Sequence, residues 1–287
     1  MLIAMKLKCA IAAGFLAAPI AVHSLQPDAT ASGIDVVEIA AGDFSYRAGG
    51  DFSRAGRPVE GPRATLRLAQ KLRIMKRQVT VAEYLRCVDA GACPKLAAAG
   101  TRADLPMVGV NWHDAKAYAA WFSGTTGMSW RLPTDQEWTF AAAEAARDEA
   151  APLVDPSDPA QAWIARYEAE AARAKTIVPA PQPVGSFGQN SKGLLDVGGN
   201  VWEWTESCFV RATLDGEAMR VTNTNCGVRV VEGAHRTYMT DFIRDPRSGG
   251  CAAGVPPANL GFRLVSEDKW PVMSGIVGNL VGLLRRS

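Results

Sequence analysis

Between Arg229 and Val265, in "RVVEGAHRTYMTDFIRDPRSGGCAAGVPPANLGFRLV", the chain gathers its most chemically varied side chains: His235, Arg236, Met239, Asp241, Arg244, Cys251 and Asn259. An imidazole, a thioether and a thiol form a donor set suited to copper, so His235, Met239 and Cys251 define one candidate centre. His235 and Cys251 are the candidate catalytic residues. Arg236, Asp241, Arg244 and Asn259 are the candidate ligand-binding residues around them. His235 has a second, structural reading as a hydrogen-bonded histidine at the end of a strand. A hydrolase built on His235, Asp241 and a serine lacks the nucleophile-elbow pattern that would accompany it.

A second stretch, "GGNVWEWTES" at 198–207, places Trp202 and Trp204 one residue apart around Glu203. In an extended segment alternate side chains point to opposite faces, so the two indoles share one face and the carboxylate takes the other. Two indoles on one side supply a large packing surface, and their N–H groups require acceptors. The stretch is therefore expected to hold the fold, with ligand chemistry on the loops from His235 to Asn259. On that division Trp204→Ala is destabilising, while His235→Ala and Cys251→Ser leave stability nearly unchanged.

These residues sit in a chain of ordinary globular composition, 287 residues with 48% hydrophobic and 21% charged side chains. Its 31 basic and 29 acidic residues sum to +2, which supplies no massed basic face for nucleic acid. Residues 1–24 read as an export signal: Lys6 and Lys8 precede "CAIAAGFLAAPIAV", and Val22 and Ser24 provide a small-residue cleavage site. A retained anchor is the alternative. Export implies a periplasmic or secreted protein in an oxidising compartment. Its remaining five cysteines are then disulfide candidates first. Cys87 with Cys93 and Cys208 with Cys226 are the expected pairs, leaving Cys251 over. Other pairings remain open, including a free Cys208 or Cys226.

The elements that must position these groups are legible in part. "IDVVEIAAGDFSYRAGG" and "RATLRLAQKLRIMKRQVT" read as strands. Thr80 with Glu83 and Thr134 with Glu137 make capping boxes at helix starts, the first helix ending at Gly91. Asn111 caps a third helix over "NWHDAKAYAAWF", with Trp112, Ala115, Ala119 and Phe122 on one face. Residues 148–183 change to an Ala-, Glu-, Asp- and Pro-rich composition and read as an insertion with an exposed helix. From "PVGSFGQNSKGLLDVGGNVWEW" onward, strands joined by long Gly-rich turns are expected.

Six ordered motifs, "PMVGVNWHDAKAYAAWF", "WRLPTDQEWTFAAA", "PVGSF", "GLLDVGGNVWEWT", "RVVEG" and "NLGFRLV", resemble the formylglycine-generating enzyme, or sulfatase-modifying factor, family. The resemblance covers 33–266, with 267–287 left as a tail. It implies a compact α+β fold related to C-type lectins, with little regular secondary structure. It also implies calcium near the Asn200 turn, held by the Asn200 side chain and neighbouring backbone oxygens, with Glu203 as a further ligand, and oxygen-only ligation suits that cation. The alternative is that Asn200 is a turn residue and Glu203 pairs with an arginine such as Arg131 or Arg263.

In that family two cysteines hold copper and oxidise a sulfatase cysteine to formylglycine. Read without gaps from Arg229, the two family cysteines fall on Ile243 and Ser248, neither of which is a thiolate. Cys251 has Pro246 five residues before it, so sliding the register recovers no pair. The mature chain retains only His113 and His235, too few for the three-histidine iron site of related sulfoxide synthases. "HRTYMTDFIRDPRSGGC" further resembles a subgroup found beside nitrite reductase genes. The resulting expectation is an exported accessory or maturation protein that binds a protein or small ligand, with an exported redox enzyme such as a nitrite reductase as partner. The alternative is a copper- and oxygen-dependent oxidoreductase using Cys251. The tail, "WPVMSGIVGNLVGLLRRS", reads either as a helix folded back on the body or as an amphipathic membrane contact.

Overall fold

Thr80, Asn111 and Thr134 start three helices in the same way. Each side chain accepts a hydrogen bond from the amide three residues on, and the carboxylate there accepts one from the cap's own amide. In this computed structural model, α1 is Val81–Asp89, α2 is Trp112–Thr126 and α3 is Asp135–Ala142. The two threonine boxes were expected, and Asp114 completes a third behind Asn111. Helix α1 gives way to Gly91 at φ 71°, while α2 continues beyond Phe122 to a left-handed Gly127. Both threonine boxes carry an arginine three residues before the cap. Arg77 grips Glu83 at 2.8 and 2.9 Å, and Arg131 grips Glu137 at 2.7 Å through each of two nitrogens.

The structure describes residues 34–96, 102–147, 180–216, 218–246 and 259–267, with helical backbone at Gln161, Ile164, Glu168 and Ala172. Ile164 is exposed, and most of the expected insertion, 148–183, lies outside the described residues. Residues 1–24 (the expected export signal), the expected tail beyond Glu267, Ser248 and Cys251 lie outside the described residues.

The strands are β1 (Val36–Ile39), β2 (Gly42–Arg47), β3 (Asp51–Arg54), β4 (Arg57–Val59), β5 (Arg63–Leu68), β6 (Leu72–Met75), β7 (Ser129–Arg131), β8 (Trp202–Asp215), β9 (Ala218–Glu232), β10 (Thr237–Thr240), β11 (Leu260–Gly261) and β12 (Val265–Glu267). One sheet runs β1-β6-β12-β7, a second β10-β9-β8-β3-β4 with β11 parallel to β8, and β2 pairs with β5. The mixed helix and strand arrangement agrees with the expected α+β class. The long β8–β9 hairpin was not foreseen. Its signal was the Asp215-Gly216 dipeptide, a turn pair whose glycine adopts φ 58°.

Strand β8 separates two buried clusters. Trp202 and Trp204 face one, with Tyr84, Tyr118, Met239 and Phe262, while Trp138, Phe140, Ile74 and Leu194 form the other. The tryptophan N–H groups find the acceptors they require: Trp202 Nε1 donates to the His235 carbonyl at 3.1 Å and Trp204 Nε1 to the Val110 carbonyl at 2.9 Å. Gly233 leaves room for this packing, since a Cβ there would lie 2.8 Å from the Trp202 ring. Both expected disulfides are present, Cys87–Cys93 and Cys208–Cys226.

Candidate functional site

The residues singled out in sequence do not gather in one place. His235 turns inward: it is 5% exposed and its ring meets the Trp202 ring edge-on at 5.4 Å between centroids. Met239 is fully buried in the same cluster. The expectation that His235 stands on a ligand loop, separable from the tryptophans, is therefore corrected. Alternation from β10 explains it, because Thr237 and Met239 face inward and His235 keeps their parity.

Arg236 takes the opposite side and enters a second polar group. It donates to Glu232 Oε1 at 2.6 Å and to the Arg47 carbonyl at 2.6 Å, and it lies 5.1 Å from the Tyr46 ring. Tyr46 donates to Asp135, whose other oxygen accepts from Ser207 Oγ at 2.7 Å. Burial, and then the Asp135 carboxylate, push the Tyr46 hydroxyl far above its ordinary range. Burial raises Tyr238 to about 12, with its oxygen accepting from the Gly50 amide at 2.5 Å. The group joins β2, β9 and α3 and is internally satisfied. Beyond α3 a cleft of about 320 Å³ is lined by Phe44, Arg63, Thr139, Phe140 and Lys192, none of them singled out in sequence.

The metal expectation concerned Asn200 and Glu203. Glu203 is fully buried and both its oxygens are taken: Arg263 Nε and Nη2 donate at 2.6 and 2.7 Å, Gln78 Nε2 at 2.7 Å and Trp138 Nε1 at 2.9 Å. Asn200 has φ 60° and closes a two-way pair with the Gln182 backbone, 2.9 Å in each direction. These side chains do not fit a calcium ion: the carboxylate is neutralised by a guanidinium, and the amide oxygen is engaged by an N–H. Arg263 was one of the two arginine partners named as the alternative. Among the described residues no group of three or more His, Cys, Asp or Glu is arranged to hold a metal.

Asp241 and Arg244 do come together, on residues sequence reading had treated as helix. Strand β10 ends beside the start of α2, where the Trp112 amide donates to the Asp241 carbonyl at 2.9 Å. His113 Nε2 lies 3.1 Å from Asp241 Oδ2, so the partner of this carboxylate is His113 and not His235. Arg244 forks onto Asp114 at 2.8 and 2.9 Å. The hydrogen bond to Asp114 raises the Arg244 pKa and outweighs the opposing effect of burial. Phe242 is 64% exposed, whereas Ile243, on which the first family cysteine falls, packs against the core. Ile243 offers no thiolate to copper, and Ser248 lies outside the described residues. Asn259 stands apart, its carbonyl accepting from the Trp202 amide at 3.0 Å.

Behind this edge, Trp112 is clasped by cations. Arg229 lies 3.8 Å above its ring and Lys116 5.3 Å from it. Lys116 also holds Glu206 at 3.0 and 3.1 Å, and Trp112 Nε1 donates to the Thr205 carbonyl at 3.0 Å. Sequence reading missed His113, Lys116, Glu206 and Arg229 as a group because β8, β9 and α2 meet only in the fold. The result is a half-exposed surface with an apolar knob at Phe242, a cation–aromatic platform and paired charges of both signs. Such a surface has the mixed apolar, aromatic and charged make-up of a recognition surface.

Comparison with known proteins gives a consistent answer. The model of the sulfatase-modifying factor enzyme 1-like domain matches residues 22–268. Inactive C-alpha-formylglycine-generating enzyme 2 of Mus musculus is 34% identical over 173 residues, 58% of this chain and 51% of that protein. Formylglycine-generating enzyme of Streptomyces coelicolor is 28% identical over 184 residues, 58% of this chain and 56% of that protein. The chain thus spans about half the length of the curated relatives it matches. The solved structure of PvdO from Pseudomonas aeruginosa superposes with a TM-score of 0.52 at 24% identity, over 81% of this chain and 94% of that one, a likeness of fold.

Proposed function

The chain belongs to the sulfatase-modifying factor enzyme 1-like domain family, and from that premise we propose that it is an exported, non-catalytic member that binds a protein partner where residues 241–244 meet the start of α2. One observation carries the reading. Ile243, on which the first family cysteine falls when the sequence is read without gaps from Arg229, packs its side chain against the core. What remains at the surface is a recognition set: Phe242, the His113 and Asp241 pair, the Arg244 and Asp114 fork, and the clasped Trp112. Two disulfides suit an oxidising compartment. The partner class we favour is an exported redox enzyme in maturation, with the nitrite reductase association as its narrowest form.

The test has two arms. Mature protein is supplied with Cu(I), oxygen and a peptide carrying a sulfatase-type cysteine, and the peptide mass is followed. No formylglycine is expected. Formylglycine formation, lost in Cys251→Ser, would overturn the proposal in favour of the oxidoreductase. In the second arm a photo-crosslinker replaces Phe242 in the native periplasm. One discrete exported partner is expected, absent when His113→Ala and Arg244→Ala are combined. Capture unaffected by those changes would remove the surface from the reading.

A further inference from the structure

The two disulfides sit in different surroundings. Cys87 is 0% and Cys93 7% exposed, both inside the first core cluster. Cys226 is exposed. It stands on an interruption of the β8–β9 ladder: Phe209 pairs with Asn225 and Cys208 with Arg229, so residues 226–228 bulge between two adjacent residues of β8 and have no partner on that strand. The Asn225 side chain accepts from the Gly227 amide at 3.0 Å and the Gly227 carbonyl accepts from the Asp241 amide at 3.0 Å, which fixes the bulge beside the surface described above.

Cys208, in contrast, faces a cation. Arg229 Nη1 is 3.3 Å from Cys208 Sγ and also donates to the Glu206 carbonyl at 2.8 Å. The guanidinium is held by its stacking on Trp112 at 3.8 Å. The carboxylates facing it are engaged elsewhere, Glu206 by Lys116 at 3.0 Å and Asp241 by His113 at 3.1 Å. The cation is thus aimed at sulfur. A guanidinium beside a sulfur stabilises the thiolate over the thiol, and a lower leaving-group pKa speeds thiol–disulfide exchange.

We infer that Cys208–Cys226 is an exchange-active disulfide, attacked at Cys226 by an external dithiol, with Cys208 leaving as a thiolate held by Arg229. The attacking thiolate forms a bond to Cys226 Sγ as the Sγ–Sγ bond breaks, and that electron pair goes to Cys208 Sγ. The second thiolate of the dithiol then attacks its own partner sulfur and releases Cys226. The external dithiol is oxidised to a disulfide by two electrons, and its two protons end on Cys208, Cys226 or solvent according to pH. This inference is independent of the accessory reading, since it requires no particular partner surface.

The experiment uses the oxidised mature protein in graded reduced glutathione, with timed acid quench, differential alkylation and mass mapping of each cysteine. Cys208 and Cys226 are expected to become reducible at glutathione concentrations that leave Cys87–Cys93 intact, with the trapped glutathione adduct on Cys226. Arg229→Ala is expected to slow reduction about threefold to tenfold, with Arg229→Lys between it and the parent. Simultaneous or earlier opening of Cys87–Cys93, an adduct on Cys208, or an unchanged rate in folded Arg229→Ala would each overturn the inference. Circular dichroism establishes that fold. Should Arg229→Ala not fold, the adduct position and the order of reduction in the parent protein decide.

Discussion

Arg263 donates from Nε and Nη2 to the two oxygens of Glu203, 2.6 and 2.7 Å away, with both side chains essentially without solvent contact. The pair lies behind the double tryptophan, and the remaining Arg263 donors reach the Lys76 and Leu195 carbonyls at 3.1 Å. Removing one member strands a buried charge, so Glu203→Ala is expected to cost about 3–5 kcal/mol. Replacing both, Glu203→Leu with Arg263→Met, should cost distinctly less than the single change. Urea unfolding of the three proteins checks this. A double change worse than the single would show that the pair itself is strongly stabilising.

The two indoles predict a second contrast. Trp204 is fully buried, so Trp204→Ala should cost ~3–5 kcal/mol through the cavity left behind, a large share of a domain stability of about 5–15 kcal/mol. His235→Ala is now expected to destabilise as well, by about 1–3 kcal/mol, because its ring packs on Trp202 and is 5% exposed. Calorimetry that finds His235→Ala as stable as the parent would restore the loop assignment that the structure corrects.

What was legible in sequence was local chemistry. The Thr80 and Thr134 boxes declare themselves within four residues, and the opposite faces of Trp202 and Glu203 follow from strand alternation. Compartment and spacing led to both cysteine pairs, although that reading left other pairings open. Contacts made by tertiary approach were not legible. Arg229 meets Trp112 across 117 positions of sequence, and nothing near Trp112 announces a guanidinium above its ring. His235 was misplaced because its type suggested ligand chemistry, while its inward parity depended on knowing where β10 lies.

Acid should open the two arginine-braced helix starts. At Glu83 and Glu137, burial raises the pKa, but hydrogen bonds from Arg77 and Arg131 and from the cap amides more than offset it, leaving both below the usual 4.5. A folded pKa lower than the unfolded one means the stabilisation is fully present above about pH 4.5 and is lost as pH falls through the folded value. The parent melting temperature should therefore fall as pH is lowered below about 4.5. Glu83→Gln with Glu137→Gln should start lower at pH 6 and fall less over that range. An equal slope would place the acid-sensitive groups elsewhere.

Chelation tests the fit of Asn200 and Glu203 to calcium. Both Glu203 oxygens are taken by Arg263, and an ion at Asn200 Oδ1 would compete with the Gln182 amide that this oxygen already accepts from. Excess EDTA, followed by added calcium, is expected to shift the melting temperature by less than about 1 °C. A calcium-dependent rise that disappears in Asn200→Ala would return the ion to this turn.

The surface at the start of α2 should be separable from the fold. His113 and Phe242 are 59% and 64% exposed, and the Arg244 side chain is 48% exposed. Substitutions at such positions usually cost within about 0.5 kcal/mol; Arg244 adds more, because its partner Asp114 is only 4% exposed. Asp114 keeps its capping bonds to the Asn111 amide and side chain after Arg244 is truncated, so the helix start survives. The triple change His113→Ala, Phe242→Ala and Arg244→Ala is therefore expected to melt within a few degrees of the parent while losing partner capture. A triple variant that unfolds would place these residues in the scaffold. One that still captures its partner would move recognition to another face.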